Sequence, residues 1–328
     1  MRVAAACAIA LSAALFSAPA QAQTYNLTLC GASPGGLWSL VGAGVDAAVK
    51  AQFPGSTITY QTSSGGPANI VQVKGKKCQI GIANDGDLVF AAAGQPPFKT
   101  PVQGMRSLGV LYDWAPIMWI ATKSFVDQHG IKDVEDIFKK KLPVRIAFNR
   151  RGLLTSAMTE ATLEAMGVSV KDVQSWGGSV EFQASNQQQE LMQNRKVDLL
   201  ANTLFEGHRS IAAMAQSVDL VMLSVPQHAI DATIKKFQLK PWTVKAGTHP
   251  WQKNDAKTVT TSVIMFADES LPENVAYDIT KALIKNPGKM AAVSAAMKKF
   301  TPKIMIDQKA APFHPGALKA YKEAGLMK

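Results

Sequence analysis

The chain has 328 residues, 47% hydrophobic and 18% charged, with 35 lysines and arginines against 24 acids for a net charge of +11. This composition excludes a disordered chain, which lacks the apolar content for a core, and the length exceeds what one small core serves, so two lobes are expected. The basic residues fall in short scattered groups such as Lys139-Lys140-Lys141 and Lys235-Lys236 without aromatic interleaving, which argues against nucleic acid as a partner. A positive exterior instead raises the encounter rate with anionic solutes.

Met1-Arg2, the apolar run 3–16 and Ala18-Pro19-Ala20-Gln21-Ala22 together read as a secretory signal cleaved near Ala22. The run is too short to span a bilayer, and no later stretch reaches the ~20 apolar residues a span needs. No lipid-attachment cysteine follows. A soluble, exported, monomeric protein in the periplasm is expected. Export makes a bridge between Cys30 and Cys78 chemically possible, but both fall in expected buried strands, where free cysteine is commonly a small apolar residue, so two buried thiols are the favoured reading and sequence does not set the Cα separation. Without CxxC spacing or neighbouring histidines they make no metal site.

Short β-branched runs then alternate with amphipathic segments, the pattern of βαβ units. Strands are expected over 25–30, 57–62 and 79–83, with helices over 37–48 and 67–74 and another opening at Asp85. After Pro116 the pattern restarts. Strands are expected over 117–122, 144–148, 197–201, 219–225 and 259–266. Helices are expected over 133–138, 155–166, 187–194, 272–285, 290–300 and 316–323. The stretch 227–249 has weak periodicity and takes no assignment. The resulting fold class is α/β, two-lobed, with mostly parallel sheets, flanking helices and a hinge. Residues 23–115 with 250–328 are expected in one lobe and 116–249 in the other.

Three glycine-rich or polar turns each follow a strand and open a helix. They are Gly31-Ala32-Ser33-Pro34-Gly35-Gly36, Thr62-Ser63-Ser64-Gly65-Gly66-Pro67 and Asn149-Arg150-Arg151-Gly152, with Thr155 just beyond. In open α/β sheets ligands bind beyond the carboxyl ends of the strands, and helix N-termini offer unpaired N–H groups that favour anions. The turns therefore predict a shared anion-binding cleft. The first lacks the G-x-G-x-x-G of a dinucleotide site and the Gly-Lys-Ser/Thr of a P-loop. Arg150 and Arg151 could grip a carboxylate through paired hydrogen bonds. Trp38, Trp176 and Phe205 lie near strand ends and are as well suited to the core as to ligand. The five histidines show no metal-ligand spacing, no Gly-x-Ser-x-Gly elbow occurs, and capping explains Asp85 and Asp87. No catalysis and no cofactor are expected.

Several segments, taken in order, carry a family resemblance. They are Gly35-Gly36-Leu37-Trp38-Ser39-Leu40, Ser63-Ser64-Gly65-Gly66-Pro67-Ala68-Asn69-Ile70, Cys78-Gln79-Ile80-Gly81-Ile82-Ala83-Asn84-Asp85, Lys196-Val197-Asp198-Leu199-Leu200 and His314-Pro315-Gly316-Ala317-Leu318. Over nearly the whole mature chain the sequence resembles the TAXI subgroup of periplasmic receptors for tripartite ATP-independent (TRAP) transporters. The resemblance implies a hinged two-lobed receptor that closes over an organic acid or amino acid and delivers it to the membrane subunits of a TRAP transporter. By position it implies Ser33, Gly36, Leu37, Trp38, Ser64, Gly65, Asn69, Asn84 and Asp85 in one wall of the cleft. Asn149, Arg150, Arg151, Thr155, Gly178 and Asn202 would face them. The family's second-lobe turn is usually rich in glycine, serine and threonine. Here two arginines stand beside Leu153 and Leu154, which suits a dicarboxylate or an acid with an apolar body. An importer of the ABC type or a sensor kinase would use the same fold.

Overall fold

A computed structural model describes residues 23–32 and 37–328. The expected signal segment, Ser33 and Gly36 lie outside the described residues. In the first part of the chain β1 (Asn26–Cys30), α1 (Leu37–Gln52), β2 (Thr57–Gln61), α2 (Gly66–Lys74), β3 (Ile80–Asn84) and α3 (Asp85–Ala93) lead into a long strand, β4 (Met105–Thr122). Next come α4 (Lys123–His129), α5 (Val134–Lys139), β5 (Arg145–Phe148), α6 (Leu154–Ala165), α7 (Val170–Ser175), β6 (Ser179–Phe182), α8 (Ser185–Gln193), β7 (Leu199–Thr203), α9 (Arg209–Ala215) and β8 (Leu220–Leu223). The chain finishes with α10 (Gln227–Phe237), β9 (Lys240–Val244), β10 (Ala256–Asp268), α11 (Glu273–Lys285), α12 (Pro287–Ala291), two short 3-10 turns and α13 (Pro315–Glu323). Among the described residues no helix is long and apolar enough to cross a membrane.

The strands follow the order β2-β1-β3-β10-β4-β7-β5-β6, with β9 on β10 and β8 on β4. Each end of this path is a parallel trio, β2-β1-β3 and β6-β5-β7. The long strands β10 and β4 run antiparallel between the trios. This is a two-lobed α/β architecture with helices on the sheet faces. Pro116 marks the place where β4 changes partner: up to Pro116 it pairs with β10, and from Ile117 to Ala121 with β7. A proline lacks the N–H a continuous ladder needs. Read locally it looks like the end of a segment, which is why a strand is expected only from 117, whereas the real one begins at Met105.

Two other differences have local causes. The unassigned stretch contains α10, whose buried face includes Thr233 beside Ala229, Ile230 and Phe237. The Thr233 hydroxyl donates to Ala229 O at 2.7 Å, and its Oγ1 lies 3.1 Å from Thr162 Oγ1 of α6. A satisfied polar residue in the apolar stripe hides the period. The helix expected over 290–300 is interrupted, because Ser294 Oγ accepts the N–H of Ala296 at 3.3 Å and starts a separate 3-10 turn.

The cores explain the layering. Leu29, Val41, Val45, Ile80, Leu111, Met265, Ile279 and Tyr321 pack α1, α11 and α13 on one face of the first trio. A second core runs from Ile70 and Phe90 through Trp119 to Phe148 and Phe237, so the two halves share packing. Gly31 and Gly42 lie against the Tyr60 ring, and a Cβ on either would come within 2.1 and 2.4 Å of it. The C-terminal segment returns to β4: Tyr321 donates to Leu108 O at 2.6 Å, and His314 N–H to Ser107 O at 2.9 Å.

Cys30 and Cys78 are bonded to each other, with Cα atoms 5.9 Å apart and a sequence separation of 48. The bond replaces the two buried thiols favoured by the sequence. The bridge ties the end of β1 to the entry of β3 inside the core. Chain-entropy reasoning for a loop of this size predicts that the Cys30→Ala/Cys78→Ala double variant loses about 4 kcal/mol of unfolding free energy. Urea melts of the two proteins check this, and coincident midpoints would contradict it.

Candidate functional site

The carboxyl ends of the parallel strands converge on one cavity of about 270 Å³. Ala32 follows β1, Ser63 to Pro67 follow β2, and Asn84 ends β3. From the other half come Asn149 and Arg150 after β5, Leu153 to Thr155 at the start of α6, Ser185 at the start of α8, and Thr203 to Phe205 with His208 after β7. Leu37, Trp38, Asp87, Tyr112 and Ala115 complete the wall. This is the strand-end crevice that open α/β sheets offer to ligands.

The turn after β2 is organised by Ser63. Its Oγ accepts the Gly65 N–H at 3.0 Å, and its proton lies between Gly31 O at 2.6 Å and Asn69 Oδ1 at 2.5 Å. Gly65 has φ 111°, a left-handed conformation that a side chain disfavours. No side chain caps α2, and none caps α6. The first turns of these two helices therefore face the same cavity from opposite halves with orphan N–H groups and dipole ends favourable to an anion. Arg150 is exposed at its edge, and among the described residues its guanidinium has no ion pair.

Behind the wall, side chains hold the lining in place. Asn149 Nδ2 donates to Asn202 Oδ1 at 3.0 Å, while Asn202 Nδ2 donates to Ser185 Oγ at 3.0 Å and Gln188 Oε1 at 2.8 Å. Trp38 Nε1 donates to Tyr112 Oη at 2.9 Å. Thr203 Oγ1 is buried without a hydrogen-bond partner among the described residues. The two halves touch through leucines and glycines: a Cβ on Gly86 would come within 2.9 Å of Leu154 Cδ2, and one on Gly65 within 3.8 Å of Leu153 Cδ2.

Two acids and a histidine set the electrostatics. Asp87 is 3% exposed, and its Oδ2 accepts from Asn84 N at 3.0 Å and Asn84 Nδ2 at 3.1 Å. Burial outweighs those bonds and pushes its carboxyl up to about 7. Asp85 is raised to about 6, again by burial. It accepts from Thr261 Oγ1 at 2.6 Å and from the N–H of Ser262 at 2.9 Å, which pins α3 to β10. Burial lowers His208 to about 4, so it is neutral at pH 7. Among the described residues no group of histidines, cysteines and acids could hold a metal ion.

Of the residues singled out in sequence, Leu37, Trp38, Ser64, Gly65, Asn84, Asn149, Arg150 and Thr155 line the cavity. Asn69 and Asn202 stand behind it as supports, with exposures of 0% and 1%. Asp85 points its carboxylate at β10. Arg151 turns away: its Nη1 donates to Glu160 Oε2 at 3.2 Å, and its guanidinium lies 3.7 Å over the Phe182 ring. Gly178 precedes β6 and sits at the amino end of the strands, opposite the cavity, because Ser179 pairs with Arg145 at the start of β5. Trp176, which caps the C-terminus of α7, packs against the core instead.

Sequence reading did not find Tyr112, Ser185, Thr203 or His208, and it took Asp87 for a cap alone. Tyr112 reaches the cavity from the middle of β4, for which no local motif exists. Ser185 and His208 open α8 and α9, so strand-to-helix position was the signal available for them.

Among solved structures, the fold is similar to MatC from Rhodopseudomonas palustris with bound malate, at 12% identity and TM-score 0.56 over 92% of this chain and 96% of that one. It is similar to PhnD1 from Prochlorococcus marinus in complex with methylphosphonate, at 10% identity and TM-score 0.52 over 92% and 99%. It is also similar to a TctC solute binding protein from Polaromonas, at 11% identity and TM-score 0.51 over 92% and 96%. At these identities the likeness is one of fold. In sequence, the chain matches the NMT1-like family over residues 29–325, nearly its whole length, and it belongs to that family.

Proposed function

We propose that this protein is a periplasmic solute-binding protein that captures a small organic anion between its lobes and delivers it to a membrane transporter. One observation carries the reading: two uncapped helix N-termini and an unpaired arginine from opposite halves line a single cavity. Such a cavity favours a carboxylate without needing a second fixed cation. The fold is shared with MatC, which holds malate, and PhnD1, which holds methylphosphonate, both anions. On this reading the signal segment ends near Ala22 and the mature chain is monomeric. Residues 23–115 with 250–328 form one lobe and 116–249 the other. Ligand contacts to both lobes shift an open–closed equilibrium toward closed. The resemblance to TAXI receptors favours the membrane subunits of a TRAP transporter as the partner over an ABC importer or a sensor kinase.

A thermal-shift screen of dicarboxylates, oxo acids, aromatic acids and amino acids tests the class. A true ligand at ~100 times its dissociation constant stabilises by about 2.7 kcal/mol. A full screen without a shift would remove the reading. Arg150→Ala is expected to weaken the ligand by about 1.5–3 kcal/mol, the value of a hydrogen bond to a charged group, whereas Arg151→Ala, already tied to Glu160, leaves affinity nearly unchanged. Calorimetry on both variants decides it, and equal losses would contradict the placement.

The sign of the pH dependence follows from Asp87, whose carboxyl titrates at about 7. Below that pH it is neutral. Above it a negative charge stands in the cavity wall and opposes an anion, so affinity falls as pH rises from 6 to 8, by roughly fivefold for about 1 kcal/mol of like-charge repulsion. Asp87→Asn should flatten the profile, and an unchanged slope in that variant would refute the assignment.

A further inference from the structure

A second cavity of about 230 Å³ adjoins the first and shares Asp87, Leu153 and Leu154 with it. It lies between α3 with the Pro96-Pro97 turn in one half and the first turns of α6 in the other. Its floor and sides are Phe90, Pro96, Pro97, Leu153, Leu154 and Ala157. The polar groups at its margin are already engaged with one another. Glu160 takes Arg151 Nη1 at 3.2 Å on one oxygen and Ser156 Oγ at 3.1 Å on the other, while Asp87 Oδ2 is occupied by Asn84. Arg151 borders this space with its Nη1 paired to Glu160 and its guanidinium stacked on the Phe182 ring. The space therefore presents a mostly apolar wall, with its one bordering guanidinium already paired, to whatever extends past the two leucines.

We propose that this annex receives the apolar tail of the ligand whose acid group sits in the main cavity, so that the ligand class is a carboxylate carrying an alkyl or aryl body. The inference rests on the anion-binding reading above and narrows it. Leu153 and Leu154 form the passage. They belong to both cavities, and they lie against Gly65 and Gly86, whose missing side chains leave them room. Ala157 touches only the annex, so it offers a way to fill that space without altering the main cavity.

The test uses the purified mature protein and straight-chain monocarboxylates from butanoate to octanoate, with succinate as the short dicarboxylate and 3-phenylpropanoate as the aryl acid. Affinity, measured by calorimetry, should rise by about fourfold per added CH₂ until the annex is full. Ala157→Trp should remove that gain for octanoate and 3-phenylpropanoate while leaving butanoate within about twofold, since one unaltered head contact is retained. If Ala157→Trp fails to fold, Ala157→Leu should reduce the gain part-way. A flat chain-length series, or succinate binding more tightly than every monocarboxylate, overturns the tail site and leaves the anion reading standing. Failure of all these acids removes the tail site, and the anion reading falls with it only if the wider thermal-shift screen is silent too.

Discussion

The crossing of β4 and β10 is the constraint on which the rest of the molecule depends. Both strands are long enough to belong to two partners in succession, and β4 changes partner at Pro116. Where the ladder parts, threonine hydroxyls take over its work. Thr258 Oγ1 donates to Ile117 O at 2.6 Å, and Thr260 Oγ1 donates to Asp113 O at 2.7 Å. The Ile117 carbonyl is buried and would cost about 1–3 kcal/mol if left unpaired. Asp85 adds a third clasp by binding Thr261 and Ser262 from the first residue of α3. The crossing brings the carboxyl ends of both parallel trios to one place, and the cavity is a consequence of that geometry.

Electrostatics at that place is asymmetric. The positive contributions are one arginine and the ends of two helices, while burial raises Asp85 to about 6 and Asp87 to about 7, so both carry protons in mildly acid solution and lose them as the pH passes through neutrality. Burial, ordinarily a cost for a carboxyl group, here holds back negative charge at the cavity wall below neutral pH. His208 is made neutral by the same effect with the opposite sign. The part of the field that does not change with pH comes from Arg150 and the backbone dipoles, which need no counter-charge.

Much of the site was legible because it was built from turns. The glycines and serines of Ser63 to Gly66 and the polar residues from Asn149 to Thr155 occupy strand-to-helix junctions, and junction chemistry is local. Side-chain direction was less accessible. Arg150 and Arg151 are neighbours in sequence, yet one edges the cavity and the other stacks on Phe182, because successive residues leaving a strand point to different sides. Asn69 and Asn202 had the right polarity but serve from behind the wall, where their hydrogen bonds hold Ser63, Asn149 and Ser185.

What the sequence determined by itself is the βαβ alternation of the first trio, the α/β class and the positions of the cavity-lining turns. Periodicity, caps and turn residues act within a few positions of one another, so they are readable without coordinates. What only the tertiary structure decided is the bond between Cys30 and Cys78, the arrival of Tyr112 from mid-strand, the buried state of Asp87 and the annex beside Leu153 and Leu154. Each of these depends on groups far apart in sequence approaching within van der Waals or bonding distance. That approach is set by how the two halves pack across the β4–β10 crossing, and no local pattern encodes it.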